Sequence, residues 1–117
     1  MSDVGHPART RARDLIDASM DAYQEARLAA AFCANEGGEL AEPHRLQALH
    51  DAADLALALA NLLTRASRLH RRQGRLTAEA CRAAADALES RDEDALQEAR
   101  HAFRQCAEAC AALPDPA

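Results

Sequence analysis

Residues 15–33 read LIDASMDAYQEARLAAAFC and place a small or apolar side chain at alternating steps of four and three residues. The positions on this stripe are Leu15, Ser19, Ala22, Ala26, Ala29 and Cys33. Because that spacing returns to one side of an α-helix at every turn, the segment predicts a helix with one face in a bundle core. The small side chains on that face predict neighbouring helices that approach closely.

The same pattern recurs in three further segments separated by helix-breaking residues. We place the end of the first helix at 35–38, the start of the second at Pro43, and its end at Gly74. Thr77 then serves as the predicted N-cap of the third helix, and residues 91–94 turn the chain into the fourth. The inward stripes are Leu49, Ala52, Ala56, Leu59, Leu63, Ala66 and His70; then Cys81, Ala84, Ala85 and Leu88; and finally Leu96, Ala99, Phe103, Cys106, Cys110 and Leu113. The order predicts an all-α, up-down-up-down antiparallel four-helix bundle, a single domain over 1–117 with flexible tails at 1–7 and 114–117.

Composition supports this fold class and narrows the function. The 117 residues include 31 alanines and no tryptophan, which favours helices and excludes sandwiches, barrels and nucleotide-binding α/β folds. All 14 basic residues are arginine and are outnumbered by 19 acids, so a nucleic-acid partner is not expected. The sequence shows neither an apolar run of about 18 residues nor a secretory signal, so we expect a cytoplasmic protein without a membrane span. Its four cysteines are then thiols or metal ligands and not a disulfide framework.

Several segments resemble one known family. Residues 15–26 (LIDASMDAYQEA) with Cys33, residues 51–56 (DAADLA), residues 62–67 (LLTRAS) and residues 105–110 (QCAEAC) are similar to the helices of the cysteine-rich four-helix-bundle copper-storage proteins. The resemblance covers about residues 13–113. It implies a bundle, often a tetramer, whose core is lined by Cys-x-x-x-Cys pairs that bind many Cu(I) ions through thiolates.

The inward positions of this chain depart from that family pattern. Where the resemblance implies cysteine, most stripe positions carry alanine, leucine or phenylalanine, none of which supplies the thiolate that Cu(I) prefers. The cysteines that remain are Cys33, Cys81, Cys106 and Cys110. We therefore expect a cysteine-depleted member that binds at most a few ions and does not store copper in bulk.

The predicted metal site lies at the end of the bundle where the second helix meets the third. The fourth helix returns to this end, so its last turns bring Cys106 and Cys110 near Cys81 and His70. Cys106 and Cys110 are four residues apart and share one helix face. The expected ion is Cu(I), with Zn(II) as the second choice because three cysteines and one histidine also form a zinc set.

The other cysteine and histidines have less specific expectations. Cys33 stands at the opposite end, as a core filler or a contact between subunits. Four histidines off the core stripes are expected in solvent: His6, His44, His50 and His101.

The charges are predicted to segregate along the bundle. The end carrying the cysteines gathers arginines 9, 11, 13, 65, 68, 71, 72 and 75, and the other end gathers acids at 36, 39, 42 and 92–94. Nearby arginine favours the thiolate that binds a metal. The same positive end is also suited to an anion.

Other functions stay open at this point. The main alternative is a structural or interaction bundle in which the thiols are inert, because free cysteine packs like a small apolar residue. A redox sensor built on Cys106 and Cys110 is disfavoured, since cysteines four apart on one helix are too distant for a disulfide. No catalytic constellation is present, so an enzyme is not expected.

Self-association is the remaining expectation. The first hairpin is predicted to be longer than the second, and Leu28, Phe32 and Leu46 are apolar residues off its core stripes. An uncovered hairpin end near Cys33 and Pro43 predicts a homo-oligomer, a dimer or a tetramer. The alternative is that these side chains pack against the other hairpin.

Overall fold

Four helices and one 3₁₀ turn make up the computed structural model, which describes residues 7–114, with side chains from residue 11 onward. Their bounds are Pro7–Glu36 (α1), Gly38–Ala41 (3₁₀ turn), Pro43–Thr64 (α2), His70–Ala87 (α3) and Asp94–Ala111 (α4). Helices α1 and α3 each pack against α2 and α4. Because short connections join these neighbours, successive helices alternate in direction. The predicted all-α four-helix bundle is confirmed, and no strand occurs within residues 7–114.

The predicted core stripes account for most of the buried interior. All six stripe positions of α1 are buried, as are those of α3 and the α4 stripe as far as Cys110. On the second stripe burial ends after Leu59: Leu63 is half-buried and Ala66 is exposed. The largest fully buried apolar side chains are Phe103, Leu49, Leu59, Leu88 and Leu96. Each contributes about 1.5–3 kcal/mol by leaving water, while the alanines let the helices come close.

The break between α2 and α3 lies ten residues earlier than the sequence predicts, before Ser67 and not at Gly74. Ala66 adopts a left-handed conformation with φ 54°. Its N–H donates to Leu63 O over 3.1 Å, and the Ser67 N–H donates to Leu62 O over 2.9 Å. These two bonds form a Schellman cap. Glycine usually occupies the left-handed position, so the alanine here gives no sequence signal that the helix ends.

Gly74 and Thr77, the predicted break and N-cap, both lie inside α3. Gly74 leaves room for Leu113, because a Cβ at this position would lie 2.6 Å from Leu113 Cδ1 and would displace that side chain. Thr77 is fully buried, and its Oγ1 donates to Leu55 O over 3.0 Å. Gln73 Nε2 donates to the same carbonyl over 3.1 Å. These polar residues therefore attach α3 to α2 instead of starting a helix.

Ala66→Gly is expected to stabilise the protein by about 0.5–1 kcal/mol. A left-handed residue with a Cβ costs about 1–2 kcal/mol, and the greater freedom of glycine in the unfolded chain offsets part of that gain. Urea unfolding measures the difference. Ala58→Gly, inside α2, is the control and should destabilise by about 1 kcal/mol; stabilisation by both changes would contradict the cap assignment.

The far end of the bundle is closed by contacts between the two interhelical loops. Arg45 Nε, at the start of α2, donates to Ala87 O at the end of α3 over 3.0 Å. Arg91, after α3, pairs with Glu39 of the 3₁₀ turn at 3.5 Å. The α3–α4 connection therefore reaches the α1–α2 connection, so the prediction that the first hairpin has an uncovered end is wrong. The physical reason is that α2 ends earlier than predicted, which makes the two hairpins more equal in length.

The apolar residues off the core stripes divide into two kinds. Phe32 and Leu46 pack partly against the core, whereas Leu28 is 63% exposed. Self-association through such residues stays a prediction. The helices of residues 7–114 include none with the length and apolar character needed to cross a bilayer. Of the predicted tails, 1–6 and 115–117 lie outside the described residues, and Pro7 is the first residue of α1.

Candidate metal centre

Three cysteine side chains from α3 and α4 meet in the core. Cys81 comes from α3, and Cys106 and Cys110 come from successive turns of α4; all three are buried. Cys106 is central, because its thiol interacts with those of both Cys110 and Cys81. Cys110 acts on Cys81 through charge alone. The structure thus brings together three of the four predicted ligands as two thiol pairs that share Cys106.

This arrangement makes Cys106 the thiol that ionises first. Hydrogen bonds from Cys110 and then Cys81 stabilise its thiolate and lower the pKa of Cys106, although burial opposes this. The pKa values of Cys81 and Cys110 are raised, first by sharing a proton with Cys106 and second by burial. The cluster therefore loses one proton more readily than a free thiol and holds the other two more tightly.

Ser19 of α1 is a further polar group beside the cluster. It is fully buried, its hydroxyl donates to Leu15 O over 2.8 Å, and it lies within hydrogen-bonding reach of Cys106. The hydroxyl has one proton, so it serves the thiolate only after rotating away from Leu15 O. That rotation is inexpensive, since this carbonyl still accepts the helical N–H of Ser19. Sequence reasoning placed Ser19 on the stripe but missed this role; its polarity on an otherwise apolar stripe was the available signal.

His70, the fourth predicted ligand, lies in a different environment from the thiols. It is the first residue of α3, is half-buried, and its Nδ1 lies 2.8 Å from Ser67 O. A carbonyl only accepts, so Nδ1 carries a proton, and in the neutral ring Nε2 is the nitrogen with the free lone pair. His70 lines a cavity of about 350 Å³ together with Arg11, Arg71 and Leu113, away from the cysteines.

A larger cavity, of about 590 Å³, reaches the cluster itself. We call it the arginine groove; it is lined by Arg72, Arg75, Leu76, Ala78, Glu79, Arg82, Cys110, Ala111 and Leu113. It runs between α3 and the end of α4, and Cys110 is the cluster thiol in its wall. The predicted basic end is therefore also the end from which a ligand can approach the thiols.

The remaining candidates lie outside the cluster. Cys33 is fully buried within the chain, and burial raises its pKa, in agreement with a core filler. His44, His50 and His101 are exposed, as predicted, and His6 lies outside the described residues.

The sulfur atoms of the cluster suit a soft ion better than a hard ion or an ion that requires four tetrahedral ligands. Within residues 7–114, no group of three or more Cys, His, Asp or Glu side chains has the arrangement needed to hold a metal ion. The two thiol pairs nevertheless offer the sulfur donors that Cu(I) prefers. Zn(II) requires four ligands in a tetrahedron, and the fourth candidate, His70, lines another cavity. The donor atoms present are therefore of the kind that Cu(I) prefers, and they do not make up a four-ligand zinc site.

The buried thiols predict a loss of stability at high pH. Above about pH 8.5, thiols of the unfolded chain ionise while Cys81 and Cys110, whose pKa is raised, keep their protons when folded. The folded state then binds more protons, so the free energy of unfolding falls by about 1.4 kcal/mol per pH unit for each thiol. Cys106 has the opposite sign: its lowered pKa contributes stability above about pH 8.5 that is lost as the pH falls.

Urea unfolding under reducing conditions at pH 8, 9 and 10 measures this effect. The chain has no lysine and one tyrosine, so the main other side chain that contributes in this range is the buried thiol of Cys33. In a Cys81→Ala/Cys110→Ala double variant the dependence on pH should become weaker, and the part due to Cys33, whose pKa burial also raises, should remain. A wild-type stability that stays constant from pH 8 to 10 would refute the assignment.

A comparison with models of known families gave a match that includes these residues. Residues 8–115 match the model of the family described as Csp, copper storage protein. Neither the curated proteins nor the solved structures gave a match. The family match extends over all four helices, including the three cysteines of the cluster. The chain therefore belongs to the copper storage protein family, as a member with four cysteines.

Proposed function

We propose that this protein binds Cu(I) at low stoichiometry, about one or two ions per chain, through Cys81, Cys106 and Cys110. The observation that carries the proposal is the pair of buried thiol contacts that share Cys106. Membership of the copper storage protein family supports copper as the metal. The proposed role is binding, which the description of the family supports.

The rest of the core argues against bulk storage. Between the cluster and Cys33, the buried positions of α1 and α2 are alanine and leucine, which have no donor atom for a metal. Buried side chains such as Ala22, Ala26 and Ala56 fill the interior where further thiols would be needed. The proposed capacity is therefore limited by the three clustered cysteines.

His70 has a secondary place in this proposal. Metal-binding histidines commonly donate one ring N–H to a carbonyl and bind with the other nitrogen, which is the state of His70 beside Ser67 O. Its separate cavity supports an accessory ion outside the thiol cluster, and not a fourth ligand to the same ion. His70→Asn should consequently leave the tight thiol site unchanged.

A Cu(I) titration of the reduced protein against a chromogenic chelator, under argon, tests the proposal. We expect the protein to withhold about one or two equivalents from the chelator. Cys33→Ala is the matched control, because it also removes a buried thiol but lies outside the cluster, and it should bind as the wild type does. Absence of competition at every ratio would exclude the copper function.

The alternative is a structural or interaction bundle with inert thiols. It is favoured by the absence of a three-ligand arrangement in residues 7–114 and by the complete burial of Cys81 and Cys106. The same titration separates the two functions. An inert bundle leaves all the copper with the chelator, and its thermal unfolding temperature is unchanged by added Cu(I), whereas a metal site raises it.

A further inference from the structure

The arginine groove carries charge opposite to that of the whole protein. The chain has a net charge of −5, yet the groove is lined by Arg72, Arg75 and Arg82, with Glu79 as its one acid. Among these, Arg82 acts electrostatically on both Cys81 and Cys110 and favours their thiolates. One cavity therefore combines a positive surface with a wall of the thiol cluster.

The groove also has an apolar side. Leu76, which is 45% exposed, lines it together with Leu113, Ala78 and Ala111. The positive charge of the groove repels a bare cation such as aqueous Cu(I). A small anion that has carboxylates and an aliphatic part matches both the charged side and the apolar side of the groove. Guanidinium groups are well suited to carboxylates because they present paired donors in one plane.

We propose that the arginine groove docks an anionic complex in which Cu(I) is held by two carboxylate-bearing thiols, and that the metal passes to Cys110 by thiolate exchange. This inference rests on the proposed copper function and names the form in which the ion arrives. The cavity supports it, because the one cluster thiol in the groove wall is Cys110. Cys106 then lies next along the path into the core.

The exchange balances without any redox step. In the first step the Cys110 sulfur bonds to copper, one copper–thiolate bond of the carrier breaks, and the Cys110 proton leaves with that thiol. In the second step the Cys106 sulfur bonds to copper, the remaining copper–thiolate bond of the carrier breaks, and the Cys106 proton leaves with that thiol. Copper is Cu(I) throughout, and its complex keeps one negative charge.

Loading rates from two donors of opposite charge test the docking step. The donors are the Cu(I)–glutathione complex, which is anionic, and the Cu(I)–acetonitrile complex, which is cationic. In an Arg72→Gln/Arg75→Gln variant, which leaves Arg82 beside the thiols in place, we expect loading from glutathione to slow about tenfold, with no slowing from acetonitrile. Glu79→Gln should accelerate loading from glutathione. The control is the exposed Arg27→Gln on α1, which removes a positive charge outside the groove and should leave both loading rates unchanged.

Binding to the metal-free protein separates this inference from the copper function. S-methylglutathione has the same carboxylates but no thiol, so it cannot deliver copper. We expect it to perturb the NMR signals of α3 and the end of α4 in the wild type, and about tenfold more weakly in the double arginine variant. If the copper function fails, neither donor loads the protein while this binding persists. Equal loading from glutathione by wild type and double variant, or equal S-methylglutathione binding, would overturn the inference.

Discussion

Cys106→Ala should lower the affinity for Cu(I) by more than about 100-fold. Loss of a partner that only orients a metal ligand costs 10–100-fold, so loss of the sulfur common to both thiol pairs costs more. Cys81→Ala and Cys110→Ala each leave one pair that contains Cys106, and we expect smaller losses from them. The structure thus predicts a ranking of the three cysteines by the loss of Cu(I) affinity, which their burial alone would not predict.

The competition titration measures this ranking with the three single variants side by side. Each variant removes one buried sulfur of the same size, so urea unfolding of the metal-free proteins should show similar small losses of stability. That comparison separates a damaged fold from a missing ligand. Three equal affinities, or a larger loss at Cys81 than at Cys106, would contradict the central position of Cys106.

Phe103→Ala should reduce the free energy of unfolding by about 3–5 kcal/mol, a large part of the stability of a domain of this size. Phe103 is fully buried and is the largest such side chain in the described part of the protein. Many of the residues that share its core are alanines, such as Ala22, Ala56 and Ala99, which have no flexible side chain to fill the space left behind. The cavity therefore persists, and the cost lies near the upper end of that range.

Urea or thermal unfolding measures this loss, with Phe32→Ala as the matched control. Phe32 is the other phenylalanine and is only half-buried, so its truncation should cost about 1–2 kcal/mol. Similar costs at the two positions would show that the core near Phe103 relaxes after truncation.

The regular parts of the fold follow from local sequence signals. The stripe from Leu15 to Cys33 identifies a buried helix face because its spacing matches the 3.6-residue period of an α-helix, and glycine and proline mark both ends of the first interhelical loop. The α2–α3 break escaped prediction because Ala66 holds a left-handed position without the usual glycine. Gly74 was misleading for the opposite reason, since its lack of a side chain admits Leu113 and does not end a helix.

The sequence by itself determined that four helices form and that Cys81, Cys106 and Cys110 lie on their inward faces, because helix periodicity specifies which side chains share a face. Only the tertiary structure decided that Cys106 lies between the other two thiols, that Ser19 reaches it, and that His70 lies in another cavity. Those facts depend on the rotation and height of one helix relative to another. These are set by side-chain packing across the core, and a pattern within a single helix does not contain them.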